Sequence, residues 1–350
     1  MVQPTRRRLL AATAGIAAGL AGCSTGRRES PEPVERETPT GDRSSVYTEV
    51  YEATIDSVTF VRGTAGSGSG FVHDGYVVTN QHVVGDVETM DVRFEDGTWR
   101  EAGVVATDIY ADLAVLSTDA PGYAAPLQFV ETIPPVGTEV VAIGSPFGLE
   151  SSVSTGIISG KDRALRSPSG FSIPNTVQTD AGLDPGNSGG PLLTLDGAVT
   201  GISVAGAGTS VGFAVSPLLA RRVLPELIET GSYEHPFLGI SLRPVGPAIA
   251  GANDLEDARG VIVVEVLEAG PDDQTLRGSD DETTVDGRAV PVGGDVIVEL
   301  AGNEIRSDAD LGTTLALELS PGDRAAATVI RDGERREITV PIGVRPAPGE

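Results

Sequence analysis

The sequence predicts a mainly β chain with two folded parts, a pair of antiparallel barrels followed by a smaller α+β unit. Three observations lead there. From Val46 to about Val215, short β-branched runs are punctuated by Asp-Gly pairs at 74/75, 96/97 and 196/197, and Asp-Gly between apolar runs is a strong hairpin signal. After Ser216 the apolar spacing turns helical, which marks a boundary between the parts. The chain of 350 residues, 39% of them hydrophobic, is long enough for two domains that each bury a core.

Residues 1–23 read as a targeting segment, with Thr5, three arginines and two leucines ahead of an apolar stretch that ends at Leu20, Ala21, Gly22 and Cys23. That stretch falls short of the roughly twenty residues a membrane-spanning helix needs, and suits the h-region of a signal peptide. The paired arginines resemble a twin-arginine signal, and LAGC resembles a lipobox, which makes Cys23 the expected lipidation site. Acyl chains there would anchor the protein to the outer face of the cytoplasmic membrane. Residues 24–45, rich in Pro, Ser, Thr and charge, have almost nothing to bury and read as a disordered tether. The glycine run 63–70 lies between two strand-like runs with no helix after it, so a loop is expected rather than a phosphate site. Ser216 and Pro217 open a helix that Gly231 closes and that Pro225 is expected to kink or divide.

Chemistry concentrates in GLDPGNSGGPLL, residues 182–193. Glycines tolerate positive φ and close approach, so this stretch can present Ser188 as a nucleophile, with backbone N–H groups converging on one point as an oxyanion hole. A serine hydroxyl needs a base to take its proton, and an imidazole serves when a buried carboxylate holds it in the right tautomer. Upstream, VVTNQHVV (77–84) supplies His82 and YADLAVL (110–116) supplies Asp112. The order His, Asp, Ser is that of the chymotrypsin-type arrangement.

Together SGSGFVHDGYVVTNQHVV, ADLAVL, QTDAGLDPGNSGGPL and VGFAVS resemble the HtrA (DegP/DegS-like) serine proteases, over residues 46 to about 342. The resemblance implies a chymotrypsin-like double β-barrel protease domain over 46–232, with Ser188 as nucleophile, His82 as general base and then acid, and Asp112 orienting the imidazole. Gly186 and Ser188 would donate the oxyanion-hole N–H groups. Asn187 stands where trypsin-like zymogens carry an aspartate, so activation by a newly cut N-terminus is not expected, and residues 160–176 become the expected sensor loop. Gly182 occupies the position that trypsin-like enzymes give to a pocket aspartate; with Ile202 and Val204 on the expected pocket wall, a small aliphatic residue is favoured before the scissile bond.

The second unit, 236–345, begins with His235-Pro236-Phe237-Leu238-Gly239-Ile240, which together with GGDVIVELAGNEI and the stretch SDADLGTTLALEL resembles an α+β PDZ domain. In that pattern the N–H groups of Leu238, Gly239 and Ile240 receive a peptide's C-terminal carboxylate, the peptide adds as a strand, and its last side chain enters a pocket floored by a helix over 308–319. Residues 279–293 exceed the minimal PDZ turn and read as an inserted hairpin.

The formal net charge is −25, and Lys161 is the chain's single lysine. Such a surface keeps a protein soluble in concentrated salt and reads as halophilic. It argues against nucleic acid, since no basic stripe opposes it. No cofactor or metal is implied. The expected function is an exported, ATP-independent serine endopeptidase that acts on exposed or misfolded chains, with C-terminal peptides at the PDZ domain and a homotrimer to which Tyr47 and Tyr51 contribute. A peptide-binding chaperone or signalling scaffold with little proteolysis is the alternative.

Overall fold

Each Asp-Gly pair closes a hairpin in the computed structural model, which describes residues 45–64, 66–145, 152–204, 211–271 and 275–349. The expected signal peptide, Cys23 and nearly all of the tether lie outside the described residues. Among the described residues no helix is long and apolar enough to cross a membrane. Asp74 (φ 47°) and Gly75 (φ 82°) both take positive φ, the geometry whose twist matches that of the flanking strands.

Helix α1 (Val46–Thr54) leads in, with Ser45 accepting from the Thr48 N–H. It buries Val50 and Thr54 and lays Tyr47 and Tyr51 partly against the same core. The first barrel follows, built from β1 (Val58–Arg62), β2 (Ser67–His73), β3 (Tyr76–Thr79), β4 (Thr89–Arg93), β5 (Trp99–Asp108) and β6 (Leu113–Ser117), with the one-turn helix α2 (Gln81–Val84) after β3. It closes in the order β1-β2-β3-β6-β5-β4. The second barrel takes β7 (Glu139–Gly144), β8 (Ser152–Arg166), β9 (Ser172–Thr179), β10 (Pro191–Thr194), β11 (Val199–Val204) and β12 (Gly212–Val215), in the order β10-β11-β12-β9-β8-β7. Closure removes the exposed edges that an open sheet would leave.

Two expectations are corrected here. Residues 67–70 of the glycine run are not loop but the start of β2, paired with β1 from Arg62↔Ser67 to Val58↔Phe71. Residues 160–176 are mostly ladder too: they form the end of the long β8–β9 ribbon around a turn at Ser167 and Phe171.

Helix α3 (Pro217–Thr230) has the expected limits, with Ser216 accepting from the Leu219 N–H and Gly231 at φ 83° as its left-handed C-cap. Pro225 does not divide it. A mid-helix proline costs about 3 kcal/mol, and the burial of Leu219, Val223, Leu224 and Leu227 on one face offsets that. This face seals a core cluster that draws Val115 from the first barrel and Ile143, Ile202 and Val204 from the second.

The second unit comprises β13 (Pro236–Phe237), β14 (Ile240–Pro244), α4 (Pro247–Ala252), β15 (Val261–Val266), β16 (Asp281–Val285), β17 (Arg288–Val292), β18 (Val296–Leu300), β19 (Asn303–Glu304), α5 (Asp308–Glu318), β20 (Arg324–Arg331), β21 (Glu334–Pro341) and β22 (Gly343–Val344). Its main sheet runs β14-β15-β18-β20-β21. The inserted hairpin is β16–β17; it leans on α4, with Arg243 donating to the Ala289 carbonyl and Asn253 to that of Pro291, and Val290 enters a satellite core with Ile249 and Ile262. At the end of β20, Arg331 pairs with the buried Asp295 at 2.6 Å.

The junction between the two parts is shared rather than merely touching. Helix α5 contributes Leu311 to the core of the second unit and Ala316 to the inter-barrel core. Arg222 of α3 donates to the carbonyls of Leu317 and Leu319 and to Ser320 Oγ at 2.9 Å, so a cation satisfies carbonyls that the end of a helix leaves without partners.

Candidate active site

His82 stands on the one-turn helix α2, behind Asn80. Asp112 closes the turn between β5 and β6 at φ 54°, a left-handed conformation that non-glycine residues seldom adopt. Two side chains hold it there. Asp108 Oδ1 accepts from the Ala111 N–H at 2.6 Å, and Asn80 Nδ2 donates to the Asp112 carbonyl at 2.8 Å. The Asp112 carboxylate, fully buried, then meets His82: Nδ1 lies 2.8 Å from Oδ2 and 3.0 Å from Oδ1, and the His82 backbone N–H donates to Oδ1 at 3.0 Å. An ionised carboxylate only accepts, so this contact assigns the proton to Nδ1 and leaves Nε2 as the basic nitrogen.

Ser188 sits in the turn that leads into β10, 5% exposed. Its carbonyl accepts from the Ser69 N–H at 2.7 Å. Gly189 donates to the Ser203 carbonyl, and the Ser203 N–H returns to Gly190, each at 2.8 Å, which stitches the turn to β11. Gly189 is obligatory on two counts. Its φ is 84°, and a Cβ there would come within 2.2 Å of both the Ser69 carbonyl and Thr79 Oγ1. Gly68 separates the Ser188 turn from α2, since a Cβ at 68 would stand 2.7 Å from the Ser188 carbonyl and 2.7 Å from Val83, the neighbour of His82. The structure therefore joins His82 to Asp112 directly and brings the Ser188 and His82 segments together against one glycine, Gly68.

Gly186 takes φ 106°, and the peptide linking it to Asn187 is held at both ends: its carbonyl accepts from Ser69 Oγ at 2.7 Å and its N–H donates to the Asp184 carbonyl at 3.0 Å. Asp184 itself is exposed, as a turn carboxylate should be.

The expected pocket wall is corrected. Ile202 and Val204 are 0% and 3% exposed and belong to the core that α3 covers. Strand periodicity puts residues 202 and 204 on one face, and here that face points into the protein. Gly182 lies elsewhere, exposed, with its carbonyl accepting from Ser154 Oγ at 2.6 Å.

In the second unit, Leu238 is buried and Gly239 takes φ 68°, its carbonyl accepting from the Leu267 N–H at 2.8 Å. A Cβ on Gly239 would come within 2.3 Å of Gly270 Cα. Ile240 opens β14, which pairs with β15 from Ile240↔Val266.

Sequence reasoning passed over the residues that tie this unit to the catalytic candidates. His235, unremarkable in the sequence, places Nε2 2.7 Å from Asp108 Oδ2. Around that pair gather Tyr110, Tyr233 and Phe171: the Tyr110 ring meets His235 edge-on at 5.3 Å and Phe171 at 4.9 Å, and Tyr233 meets His235 at 4.7 Å. The Arg345 guanidinium caps the Tyr110 ring at 3.9 Å, and burial lowers its pKa below the ordinary arginine value. Its backbone N–H donates to the His235 carbonyl at 2.8 Å. Only the two aspartates of ATDIYAD, four residues apart, hinted at this turn's double duty.

Comparison with known proteins agrees with the architecture. A family model described as a trypsin-like peptidase domain matches residues 66–202, and a PDZ domain model matches 236–342. A protein of Chlamydia muridarum named "Probable periplasmic serine endoprotease DegP-like" is 36% identical over 295 residues, 80% of this chain. One of the same name from Ectopseudomonas mendocina is 37% identical over 290 residues, 81% of this chain. The chain spans 54% and 57% of those two relatives' lengths. Among solved structures, the HtrA-type protease AlgW with a tripeptide superposes with a TM-score of 0.69 at 28% identity, covering 86% of this chain and 98% of that one. A serine endoprotease from Yersinia pestis gives 0.62 at 27% identity, covering 87% and 99%.

Proposed function

The chain belongs to the HtrA-type serine proteases, a trypsin-like peptidase domain followed by one PDZ domain, and we propose that it is an exported serine endopeptidase that cuts exposed or misfolded polypeptides without ATP. The observation that carries this reading is the buried Asp112 carboxylate, bound to both the ring and the backbone of His82. An imidazole so held can take the Ser188 proton as Oγ attacks the scissile carbonyl, and then deliver it to the departing amine. The acyl-enzyme is released by water, with His82 again the base. The N–H groups of Gly186 and Ser188 receive the oxyanion, and Asp112 stabilises the imidazolium formed in each half-reaction.

The PDZ domain is proposed as the regulatory part, binding C-terminal peptides at Leu238, Gly239 and Ile240. Support comes from α5, the floor of the expected peptide pocket, which is packed on the β8–β9 ribbon with Gly312 against Pro174. Export and a lipid anchor at Cys23 complete the proposal, in keeping with relatives named as periplasmic. A homotrimer is included as well, although Tyr47 and Tyr51 also pack on their own core.

Hydrolysis of casein by the purified protein, abolished in Ser188→Ala, is the expected result. Undiminished cleavage by Ser188→Ala would remove the mechanism. A wild-type protein that binds unfolded chains but leaves casein intact would point to the chaperone reading instead.

A further inference from the structure

Ser69 is fully buried in β2, on the first barrel, yet three of its hydrogen bonds cross to the second. Its hydroxyl donates to the Gly186 carbonyl at 2.7 Å and accepts from the Ser145 N–H at 2.9 Å. Its backbone N–H donates to the Ser188 carbonyl at 2.7 Å. Another stays within the first barrel, with Thr79 Oγ1 donating to the Ser69 carbonyl at 2.7 Å. We propose that Ser69 is a positioning residue for the oxyanion-binding turn, its hydroxyl setting the orientation of Gly186 against Ser188. This rests on the reading of Ser188 as nucleophile and of the Gly186 and Ser188 N–H groups as oxyanion donors.

The physical argument begins with Gly186. A glycine at φ 106° has no side chain to bias it, and glycine visits many backbone conformations at little cost. A turn built around such a residue keeps one geometry only if something outside it does the holding. The Gly186–Asn187 peptide has two tethers, and one of them, the Asp184 carbonyl, belongs to the turn itself and moves with it. The Ser69 hydroxyl is the tether from outside, on a strand fixed by the ladder of the first barrel. Its own orientation is set by the Ser145 N–H, which occupies an acceptor lone pair and leaves the hydroxyl proton for Gly186.

The surrounding packing admits no substitute. A Cβ on Gly190 would stand 3.1 Å from the Ser69 Cβ, one on Gly144 would stand 3.0 Å from Ser69 Oγ, and one on Gly189 would strike the Ser69 carbonyl. Gly144, Gly189 and Gly190 all pack against this serine, which lets the Ser188 turn come close enough for direct bonds. Oxyanion donors stabilise the transition state more than bound substrate, so a fault in their placement lowers kcat and leaves KM nearly unchanged.

The test uses the full chain with Ser69→Ala. Expected are a fall in kcat of about 10², a KM within about threefold of wild type, slower labelling of Ser188 by a fluorophosphonate, and an unchanged circular dichroism spectrum. Ser69→Cys, close in size but a weak donor, should fall between the two, and it carries the test if Ser69→Ala folds poorly. Wild-type kcat in Ser69→Ala, a rise in KM alone, or a loss of activity that merely tracks lost folded protein would each overturn the proposal. Ser188→Ala run alongside separates the readings: if it is inactive while Ser69→Ala retains wild-type kcat, only the role of Ser69 falls, whereas an active Ser188→Ala removes the nucleophile assignment itself.

Discussion

Two histidine–aspartate pairs share one turn in this protein, and their side chains are about equally hidden: 18% and 0% exposed for His82 and Asp112, 11% and 6% for His235 and Asp108. The chemistry is the same in both, and the tasks diverge because of what else each carboxylate binds. Asp112 gives both oxygens to one residue, so the pair is a self-contained unit of the first barrel. Asp108 divides its oxygens, one to the Ala111 N–H in its own turn and one to His235, 127 residues away at the entrance to the PDZ domain. The first pair can orient a base; the second ties the β5–β6 turn to the start of the second unit. The turn from Asp108 to Asp112 is thus anchored at one end by the candidate catalytic histidine and at the other by the domain junction.

The largest effect should come from breaking the first pair. Asp112→Asn keeps the shape and one acceptor but favours the wrong imidazole tautomer, and by analogy with other triads turnover should drop about 10⁴-fold with the melting temperature little changed. Steady-state kinetics on a chromogenic peptide or casein checks it. Activity within tenfold of wild type would mean that the Asp112 contact is structural.

Breaking the second pair should be milder and of a different kind. His235→Gln and Asp108→Asn each remove a partner from a mostly buried hydrogen bond, which costs about 1–3 kcal/mol of stability. Turnover without added peptide should change by less than about tenfold, since each leaves the His82–Asp112 contacts in place. What should change is the response to C-terminal peptides: activity measured with and without a free-acid peptide ending in valine should differ less in these variants than in wild type. A peptide response of wild-type size in both would confine the His235–Asp108 pair to a packing role.

The smallest and most diffuse effect concerns neither pair. With a formal charge of −25, the surface repels itself when salt no longer screens it, so the melting temperature should fall as salt drops from molar to about 0.1 M. Molar salt also strengthens apolar burial, and a variant with about a dozen surface carboxylates made amides would isolate the charge component. A melting temperature insensitive to salt in the unmodified chain would remove the halophilic reading.

Elements with local causes were visible in the chain. Asp74-Gly75 demands a two-residue hairpin turn, Ser216-Pro217 and Gly231 bound α3, and the helix over 308–319 is present as Asp308–Glu318. His82, Asp112 and Ser188 stood out because each is a polar residue set in apolar or glycine-rich surroundings. Residues 202 and 204 were misread because alternation says that two side chains share a face and not which way the face looks; α3, arriving later in the chain, made it interior. That Pro225 leaves α3 undivided has a related reason, because a local penalty is outweighed by burial that only the packed helix reveals.

By itself, then, the sequence determined the two-part order, the hairpin turns, the helix caps and the residue types that proteolytic chemistry requires, all of which rest on contacts between residues near in the chain or on patterns of fixed period. Tertiary structure alone decided that Ser69 binds a turn 117 residues away, that Arg222 caps a helix of the other domain, and that His235 closes on Asp108. Those contacts depend on where closed barrels bring strand ends together. A serine in a glycine run or a histidine before a proline carries no local mark of the partner that burial will assign to it.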